Sequence, residues 1–305
     1  MLSLLTRHRA RAIQSLGFNP NHPRYNGQLH PLVGWWDFTD YDTLYTDAGT
    51  TKVSAQSDKI YRIDNKAIPN TRHFGVEHKL GLYLEQSSEP DRPTVRAITA
   101  DPKGRGAVFN GIAQSIIASR SIGNANGTNS LADLDINLSK LTLFAAFAPD
   151  NSSLASTQNI FTFQDGAQST GDLFLRHTDD QVVWNSKDNV ARTNTYIDSG
   201  VDITAVPQLW TVQLNCDTGG SSSYLYKQGM QEGNTGGGDV HLLDMSLSDA
   251  DIGVSIGSYL VANMSRTLFF DGTVFEILMY NGTLSDAAAL EVQQYLITKY
   301  DLLIL

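Results

Sequence analysis

The 305-residue sequence has a single cysteine, few charged side chains and no long apolar run. Cys216 has no second cysteine in the chain, so an internal disulfide is excluded and packing must hold the fold together. Cys216 is then either a packed thiol or, as the less favoured alternative, an intermolecular one. No segment approaches the roughly 18 consecutive apolar residues that a spanning helix needs, so membrane insertion is not expected. Hydrophobic residues make up 41% of the chain, which excludes a disordered protein and predicts a large core.

Acidic residues are absent from the first 36 positions. This stretch holds four of the 22 basic residues and none of the 32 acidic ones, so the remainder is strongly acidic. The net charge of −10 excludes a general nucleic-acid binder, because neutralising phosphates requires clustered Lys and Arg. We therefore predict a basic N-terminal arm over residues 1–31, serving as an anchor or linker, and one body over residues 32–305.

The arm carries apolar residues near helical spacing, mixed with arginines. Its candidate partner-binding residues are Leu2, Leu5, Arg7, Arg9, Arg11, Ile13 and Leu16. Two interpretations are open: the arm is a helix that docks on an acidic partner, or it is a solvated, frayed terminus. The charges follow a very short apolar patch, which is the reverse of a secretory signal, so we expect no signal peptide.

The body alternates with the period of a β-sheet protein. In residues 209–216, Trp210 and Val212 share one face, whereas Thr211 and Gln213 share the other, which predicts a strand with one solvated side. Both faces of residues 141–148 are apolar, as in a central strand covered on both sides. Further strands are expected in a hairpin over 172–177 and 181–184, at 223–227 and at 273–280.

One amphipathic helix is expected near the C-terminus. Ser285 is placed to cap it, and Asp286 suits the positive end of the helix dipole. The residues expected on its buried face are Ala289, Val292, Leu296 and Tyr300. This helix should pack back on the sheets.

Several segments resemble concanavalin A-like, or laminin-G-like, jelly rolls. Residues 269–286 and 295–302 are similar to the closing strand and helix of that family. Residues 141–147 resemble its early core strand and 108–111 the turn before that strand, while 223–229 resemble a later strand and turn and 256–259 the strand that follows. Gly34-Trp-Trp-Asp37, Asp58-Lys59 and Arg92-Pro93 resemble the opening of such domains in tailed-phage virion proteins. The resemblance covers roughly residues 32–302. It implies an all-β, two-sheet antiparallel jelly-roll sandwich (concanavalin A-like) with a short C-terminal helix and an N-terminal helical or extended arm.

The catalytic pattern of glucanases built on this scaffold is missing. Those enzymes place acids as Glu-x-Asp-x-x-Glu on one strand, and no such run occurs here. Only Glu276 falls in an expected core strand, and a lone carboxyl lacks the partner that glycoside hydrolysis requires. We therefore expect no enzymatic activity and no catalytic residues. A glycoside hydrolase that depends on Glu276 is the less favoured alternative.

No cofactor is expected. His73 and His78 are five residues apart with Gly75 between them, which does not fit a helical zinc pair. Asp179 and Asp180, with Asp165 and Asp172 nearby, offer oxygen atoms of the kind that calcium binds, but Asp is equally ordinary in turns. Calcium stays an open alternative without a recognisable ligand loop.

The tryptophans divide into two pairs. Trp184 and Trp210 share faces with Val182 and Val212, which predicts core packing. Adjacent Trp35 and Trp36 point to opposite sides of an extended chain, so at most one is buried in the sandwich. The other is a candidate contact for a glycan or a partner protein.

These features favour a non-enzymatic phage virion structural protein, such as a capsid decoration, head fibre or tail adhesin subunit, anchored by its arm. Its expected partners are other virion proteins (capsid, portal or tail) and further copies of itself. A homo-trimer is the working assumption, taken from how virion appendages are commonly built. The protein would be made in the host cytoplasm and reside in the virion. The alternative is a carbohydrate-binding module that recognises host-surface glycan, and a virion adhesin could combine both roles.

Overall fold

The structure of the protein is a computed structural model. It describes residues 20, 32–67, 83–97, 99, 101–119, 140–150, 154–165, 168–176, 180–187, 194–215, 223–234, 253–260 and 265–302.

The described residues form strands, one α-helix and three short 3-10 helices. In chain order the strands are β1 (Leu32–Asp37), β2 (Leu44–Tyr45), β3 (Arg62–Ile63), β4 (Leu84–Glu85), β5 (Thr94–Val95), β6 (Ala107–Asn110), β7 (Ile116–Ser119), β8 (Lys140–Pro149), β9 (Gln158–Asp165), β10 (Gln168–Arg176), β11 (Gln181–Lys187), β12 (Asn194–Asp202), β13 (Gln208–Asn215), β14 (Tyr224–Lys227), β15 (Met230–Asn234), β16 (Gly253–Ile256), β17 (Tyr259–Leu260), β18 (Arg266–Thr267) and β19 (Asp271–Asn281). The helix α1 is Asp286–Tyr300, and the 3-10 helices are Tyr41–Thr43, Glu89–Asp91 and Pro102–Gly104.

Two large antiparallel sheets make up most of the described body, and β17 and β18 pair as a separate two-stranded sheet. The first has eight strands in the order β15, β14, β13, β8, β19, β6 and β5, with β1 also paired to β19. The second has nine strands in the order β12, β11, β10, β9, β16, β7, β4, β3 and β2. Side chains from both sheets share one buried cluster between them, so the sheets form a sandwich. The predicted all-β, two-sheet jelly-roll class with a C-terminal helix is confirmed.

The two expected core tryptophans lie in this cluster. Trp184 on β11 and Trp210 on β13 are buried with Val182 and Val212, as their alternation predicts. The hairpin expected from the polar turn at Asp180 forms between β10 and β11. Alternation therefore identified the inner face of each of these strands.

Strand β8 lies between β13 and β19 and is buried on both faces. Leu143, Ala145 and Phe147 face the second sheet, while Phe144 and Ala146 belong to a separate cluster on the outer side. The prediction of a central strand covered on both sides is confirmed.

Helix α1 covers that outer side. Ser285 caps the helix, its hydroxyl accepting a hydrogen bond from the Ala288 N–H at 3.3 Å, and Asp286 lies in the first turn. The four residues expected on the inner face are all buried: Ala289, Val292, Leu296 and Tyr300. Within the described ranges, no helix has both the length and the apolar character that a membrane crossing demands.

The expectation of a solvated face on β13 is wrong. Thr211 and Gln213 are buried, because α1 and the turn before it lie over them. Gln293 Nε2 donates to Thr211 Oγ1 at 3.1 Å, and Gln213 Nε2 donates to the Leu284 carbonyl at 3.0 Å. The polar alternation of β13 thus supplies hydrogen bonds to the helix side instead of contact with water.

One residue of the predicted arm lies on the body. Pro20 is buried, and its carbonyl accepts a hydrogen bond from the Tyr280 hydroxyl at 2.8 Å. The seven candidate partner-binding residues of the arm, Leu2, Leu5, Arg7, Arg9, Arg11, Ile13 and Leu16, lie outside the described residues.

The turn after β16 gives a test of the packing between the sheets. Gly257 has φ +85°, and a Cβ there would overlap the buried ring of Phe109. We expect Gly257→Ala to lower the free energy of unfolding by about 2–5 kcal/mol, from left-handed strain plus overpacking. Urea unfolding followed by fluorescence measures the change.

Gly200→Ala is the matched control. Gly200 has φ +62°, but a Cβ there would meet nothing within 4 Å. Only the backbone strain of about 1–2 kcal/mol is expected. Equal losses in the two variants would contradict the packing described around Phe109.

Candidate functional site

A cluster of buried charges lies beneath the last turn of α1. The Lys299 ammonium contacts Asp37 Oδ2 at 2.7 Å and Glu276 Oε2 at 2.8 Å. Glu276 also accepts hydrogen bonds from the Tyr300 hydroxyl at 2.6 Å and from Trp35 Nε1 at 2.6 Å. The cluster therefore joins β1, β19 and α1.

Asp37 is held equally tightly. Lys66 Nζ lies 3.0 Å from Asp37 Oδ2 and 2.7 Å from Asp40 Oδ2. The Thr39 hydroxyl and N–H donate to Asp37 Oδ1 at 2.6 Å and 3.0 Å. Every carboxylate oxygen of Asp37 and Glu276 therefore has a hydrogen-bond or ion-pair partner within the protein. These partners offset the free-energy cost of removing the charges from water.

The pKa values follow from burial and from the shared cations. Burial and the nearby Asp37 raise the pKa of Glu276, although Lys299 and Tyr300 oppose that rise. Burial alone would raise the pKa of Asp37, but Lys299 and Lys66 outweigh it and lower this pKa to about 2. Burial disfavours the charged form of Lys299, yet Glu276 and Asp37 raise its pKa well above the ordinary range. Lys299 therefore stays charged between the two carboxyl groups.

Glu276 does not meet the requirements of a hydrolase carboxyl. Its side chain is fully buried, and Trp35, Lys299 and Tyr300 occupy both of its oxygens. A glycosidase acid or nucleophile must reach the scissile bond. The role of Glu276 is to fix α1 to the sheet.

Neither of the adjacent tryptophans forms a surface contact, which corrects the sequence-based expectation. They do point to opposite sides of β1: Trp36 packs between the sheets at 0% exposure and Trp35 packs under α1 at 8%. Alternation placed the rings on opposite faces, but it gave no sign that the helix covers the outer one. Trp35 and Trp36 are therefore not available for stacking on a ligand.

Of the candidate metal ligands, Asp180 is engaged in its own turn, and several others lie outside the described residues. Asp180 accepts a hydrogen bond from the Leu154 N–H at 3.2 Å, which is ordinary turn chemistry. Among the residues that the structure describes, no group of three or more His, Cys, Asp or Glu could hold a metal ion. His73, His78, Asp179 and Cys216 lie outside those residues.

The outer face of β14 carries two tyrosines that sequence reasoning missed. Tyr224 and Tyr226 alternate with buried Leu225, so both rings lie on the helix side of the first sheet, where they are partly exposed. Their ring centroids are 6.0 Å apart and the rings are inclined at 52°. Within the described part of the chain, neither hydroxyl has a hydrogen-bond partner and no cation lies over either ring. We call Tyr224 and Tyr226 the tyrosine pair.

Strand β13, the neighbour of the strand that carries the tyrosine pair, is hydrogen-bonded to α1 and to the turn before it. Across the sheet, Tyr226 pairs with Thr211 and Tyr224 pairs with Gln213. Those are the two β13 residues that are bonded to Gln293 and to the Leu284 carbonyl. The first two turns of the helix therefore run beside the tyrosine pair. Burial, with the Asp286 carboxylate adding to it, raises the pKa of Tyr226 to about 12.

A second group of aromatic residues lies on the opposite side of the sandwich, but its rings are already occupied. Lys52 Nζ lies 3.5 Å from the ring centroid of Tyr45, and the Arg62 guanidinium lies 3.9 Å from that of Tyr83. Arg62 is also paired with Asp64 at 2.7 Å. These contacts satisfy the cations within the protein. The tyrosine pair is thus the better candidate for binding a ligand.

The fold and this site define the chain as a two-sheet antiparallel β-sandwich with a partly exposed aromatic pair beside its C-terminal helix. No protein-family model matches the sequence, and no curated protein matches it.

Solved structures with some similarity include the Trypanosoma rangeli sialidase, with a TM-score of 0.49 and 11% identity over 88% of this chain and 34% of that one. Domain 4 of the GH43 arabinanase AbnA from Geobacillus stearothermophilus, solved with arabinotriose, has a TM-score of 0.47 and 15% identity, over 87% of this chain and 98% of that domain. The CBM40 of the Ruminococcus gnavus IT-sialidase has a TM-score of 0.44 and 12% identity, over 61% of this chain and 96% of that one. Because these TM-scores are below 0.5, the fold class rests on the strand order described above. The three structures give no support to the resemblance to virion proteins.

The buried cluster predicts a specific acid sensitivity. Because the pKa of Asp37 is about 2 in the folded chain and ordinarily 3.8, Asp37 adds stability that is present above pH 4 and is lost as the pH falls toward 2. Burial and the neighbouring Asp37 shift the pKa of Glu276 in the opposite direction, upward, so the loss of stability toward pH 2 is assigned to Asp37. We expect wild type to lose about 2 kcal/mol more than Asp37→Asn between pH 4 and pH 2, measured by urea unfolding.

Asp40→Asn is the control for this measurement. Asp40 contacts Lys66 but not Lys299, and it is partly exposed. We expect this variant to keep the acid-dependent loss of wild type, with a uniform cost below about 1 kcal/mol. An identical pH slope in wild type and Asp37→Asn would contradict the assigned role of Asp37.

Proposed function

We propose that this chain is a non-catalytic β-sandwich that binds carbohydrate through Tyr224 and Tyr226. The observation that carries the proposal is the tyrosine pair itself: two partly exposed rings whose hydroxyls are not engaged in the described part of the chain. Aromatic faces suit the apolar C–H faces of sugar rings, and phenol hydroxyls can bond sugar hydroxyls.

The surroundings of the pair support this function. Gln231 lies directly across from Tyr226 on β15 and is exposed, so it adds an amide at the edge of the rings. The bonds from Thr211 and Gln213 to the helix side hold the neighbouring strand in place. A pre-organised aromatic site loses little conformational entropy when it binds.

The absence of catalysis is part of the proposal. Glu276, the carboxyl that a hydrolase interpretation needs, is used to anchor α1. A glycosidase needs an acid together with a nucleophile or base, and we assign neither role to Asp286, the acidic residue in the first turn of the helix beside the pair. Binding without turnover is therefore the activity that we assign.

Removing the rings tests the proposal. We expect Tyr224→Ala and Tyr226→Ala each to weaken glycan binding about tenfold or more, and the double variant to abolish it on a glycan array. Calorimetry with the best array ligand measures the affinities. Urea unfolding shows whether each variant remains folded.

Tyr83→Ala is the matched control. Tyr83 is partly exposed on the second sheet, with its ring against Arg62. We expect this variant to bind glycan like wild type. If wild type binds no glycan, or if the tyrosine variants bind as well as wild type, the proposed function is wrong.

A phage virion structural role is the second candidate, and the uneven charge favours it. The first 36 residues hold four arginines and no acid, whereas the rest of the chain is strongly acidic. A basic arm of this kind suits an acidic groove on a capsid, portal or tail protein. Such a protein would display the sandwich on the particle as a decoration, fibre or adhesin subunit. Trimeric self-association remains part of this candidate.

Deleting residues 1–18 tests this candidate while keeping Pro20 and its bond to Tyr280. We expect a body that unfolds at the same urea concentration as the full chain but no longer joins particles. Sedimentation of particles after complementation measures incorporation, and analytical ultracentrifugation measures the oligomer. Normal incorporation of the shortened chain would rule out the arm as the anchor.

A further inference from the structure

Building on the proposed function, we infer that Asp286 makes the tyrosine pair selective for neutral, soluble glycan chains and against acidic ones. Asp286 is exposed in the first turn of α1. The residue two positions before it, Leu284, accepts the hydrogen bond of Gln213, which is the cross-strand neighbour of Tyr224. The start of the helix, with its carboxylate, therefore lies beside the tyrosine pair.

The charges near the pair favour a neutral ligand. The nearest lysine along the strand, Lys227, is buried and places its Nζ 5.8 Å from the ring centroid of Trp210, on the core side of β14. In the described part of the chain, no cation lies over Tyr224 or Tyr226 to pair with a carboxylated sugar. An acidic glycan would meet the Asp286 carboxylate without a cation over either ring, among the described residues, to compensate for it, and this costs affinity.

Asp286 also opposes the attraction of the helix N-terminus for an anion. A helix start carries partial positive charge on its free N–H groups. Ser285 satisfies one of them by accepting from the Ala288 N–H, and the acid next to it offsets the dipole. Replacing Asp286 by a neutral or basic residue would therefore leave this end of the site attractive to acidic sugars.

The inclination of the rings concerns the shape of the ligand. Rings tilted by 52° present their faces in two different directions. Successive sugars of a single flexible chain can rotate to match such faces, whereas the parallel chains of a crystalline surface cannot. The tyrosine pair therefore fits a soluble chain.

Selectivity is tested with lactose and sialyllactose and with galactan and polygalacturonate, which are neutral and carboxylated counterparts. We expect wild type to bind the neutral members. We expect Asp286→Asn to raise affinity for the carboxylated members about threefold to fivefold and Asp286→Lys about tenfold, with neutral affinity changed less than threefold. The gain should shrink in 0.5 M NaCl, because salt screens surface charges. Calorimetry and affinity electrophoresis measure these changes.

Asp42→Asn is the charge-matched control. Asp42 is exposed in the 3-10 helix beside β2, at the opposite side of the sandwich, and we expect no change in selectivity. Three outcomes would overturn the inference while leaving glycan binding intact. Wild type could prefer a carboxylated glycan, both Asp286 variants could keep the selectivity of wild type, or only crystalline cellulose could retain the protein. If none of the glycans binds wild type, it is the proposed function that fails.

Discussion

The Lys299 ammonium, shared by Asp37 and Glu276, is the interaction on which the rest of this architecture depends. It fixes the last turn of α1 to β1 and β19, so it joins elements from the beginning and the end of the body. Two carboxylates and one cation are stable in this position because Trp35 and Tyr300 complete the bonding of Glu276. Removing one partner of such a cluster typically costs about 3–5 kcal/mol, since a buried charge is left unpaired.

Anchoring the helix at one end positions the candidate site at the other. With its C-terminal turn held by Lys299, α1 lies across β13, and Gln293 bonds Thr211 on that strand. The same placement brings Asp286 alongside the strand that carries the tyrosine pair. The buried cluster and the exposed site are thus linked through a single rigid helix. The buried charges are paired within the protein, and recognition is assigned to two tyrosines whose hydroxyls have no hydrogen-bond partner among the described residues.

Sequence periodicity predicted the framework well because it reports local geometry. Two-residue alternation identified the inner faces of β11 and β13, and helical spacing identified the buried face of α1. The same alternation at Tyr224 and Tyr226 could have pointed to an aromatic outer face on β14. The hairpin at Asp180 was found from its polar turn, since turn residues act within a few positions of one another.

The sequence by itself determined which side chains share a face, where the C-terminal helix begins, and that packing instead of disulfides holds the chain. Only the tertiary structure decided what covers each face. Thr211 and Gln213 were expected to be exposed to solvent, and Trp35 was a candidate surface contact, yet all three are buried on the side of the sheet that α1 covers. The physical reason is that alternation depends on the backbone dihedrals of one strand, whereas burial depends on contacts between residues far apart in the chain.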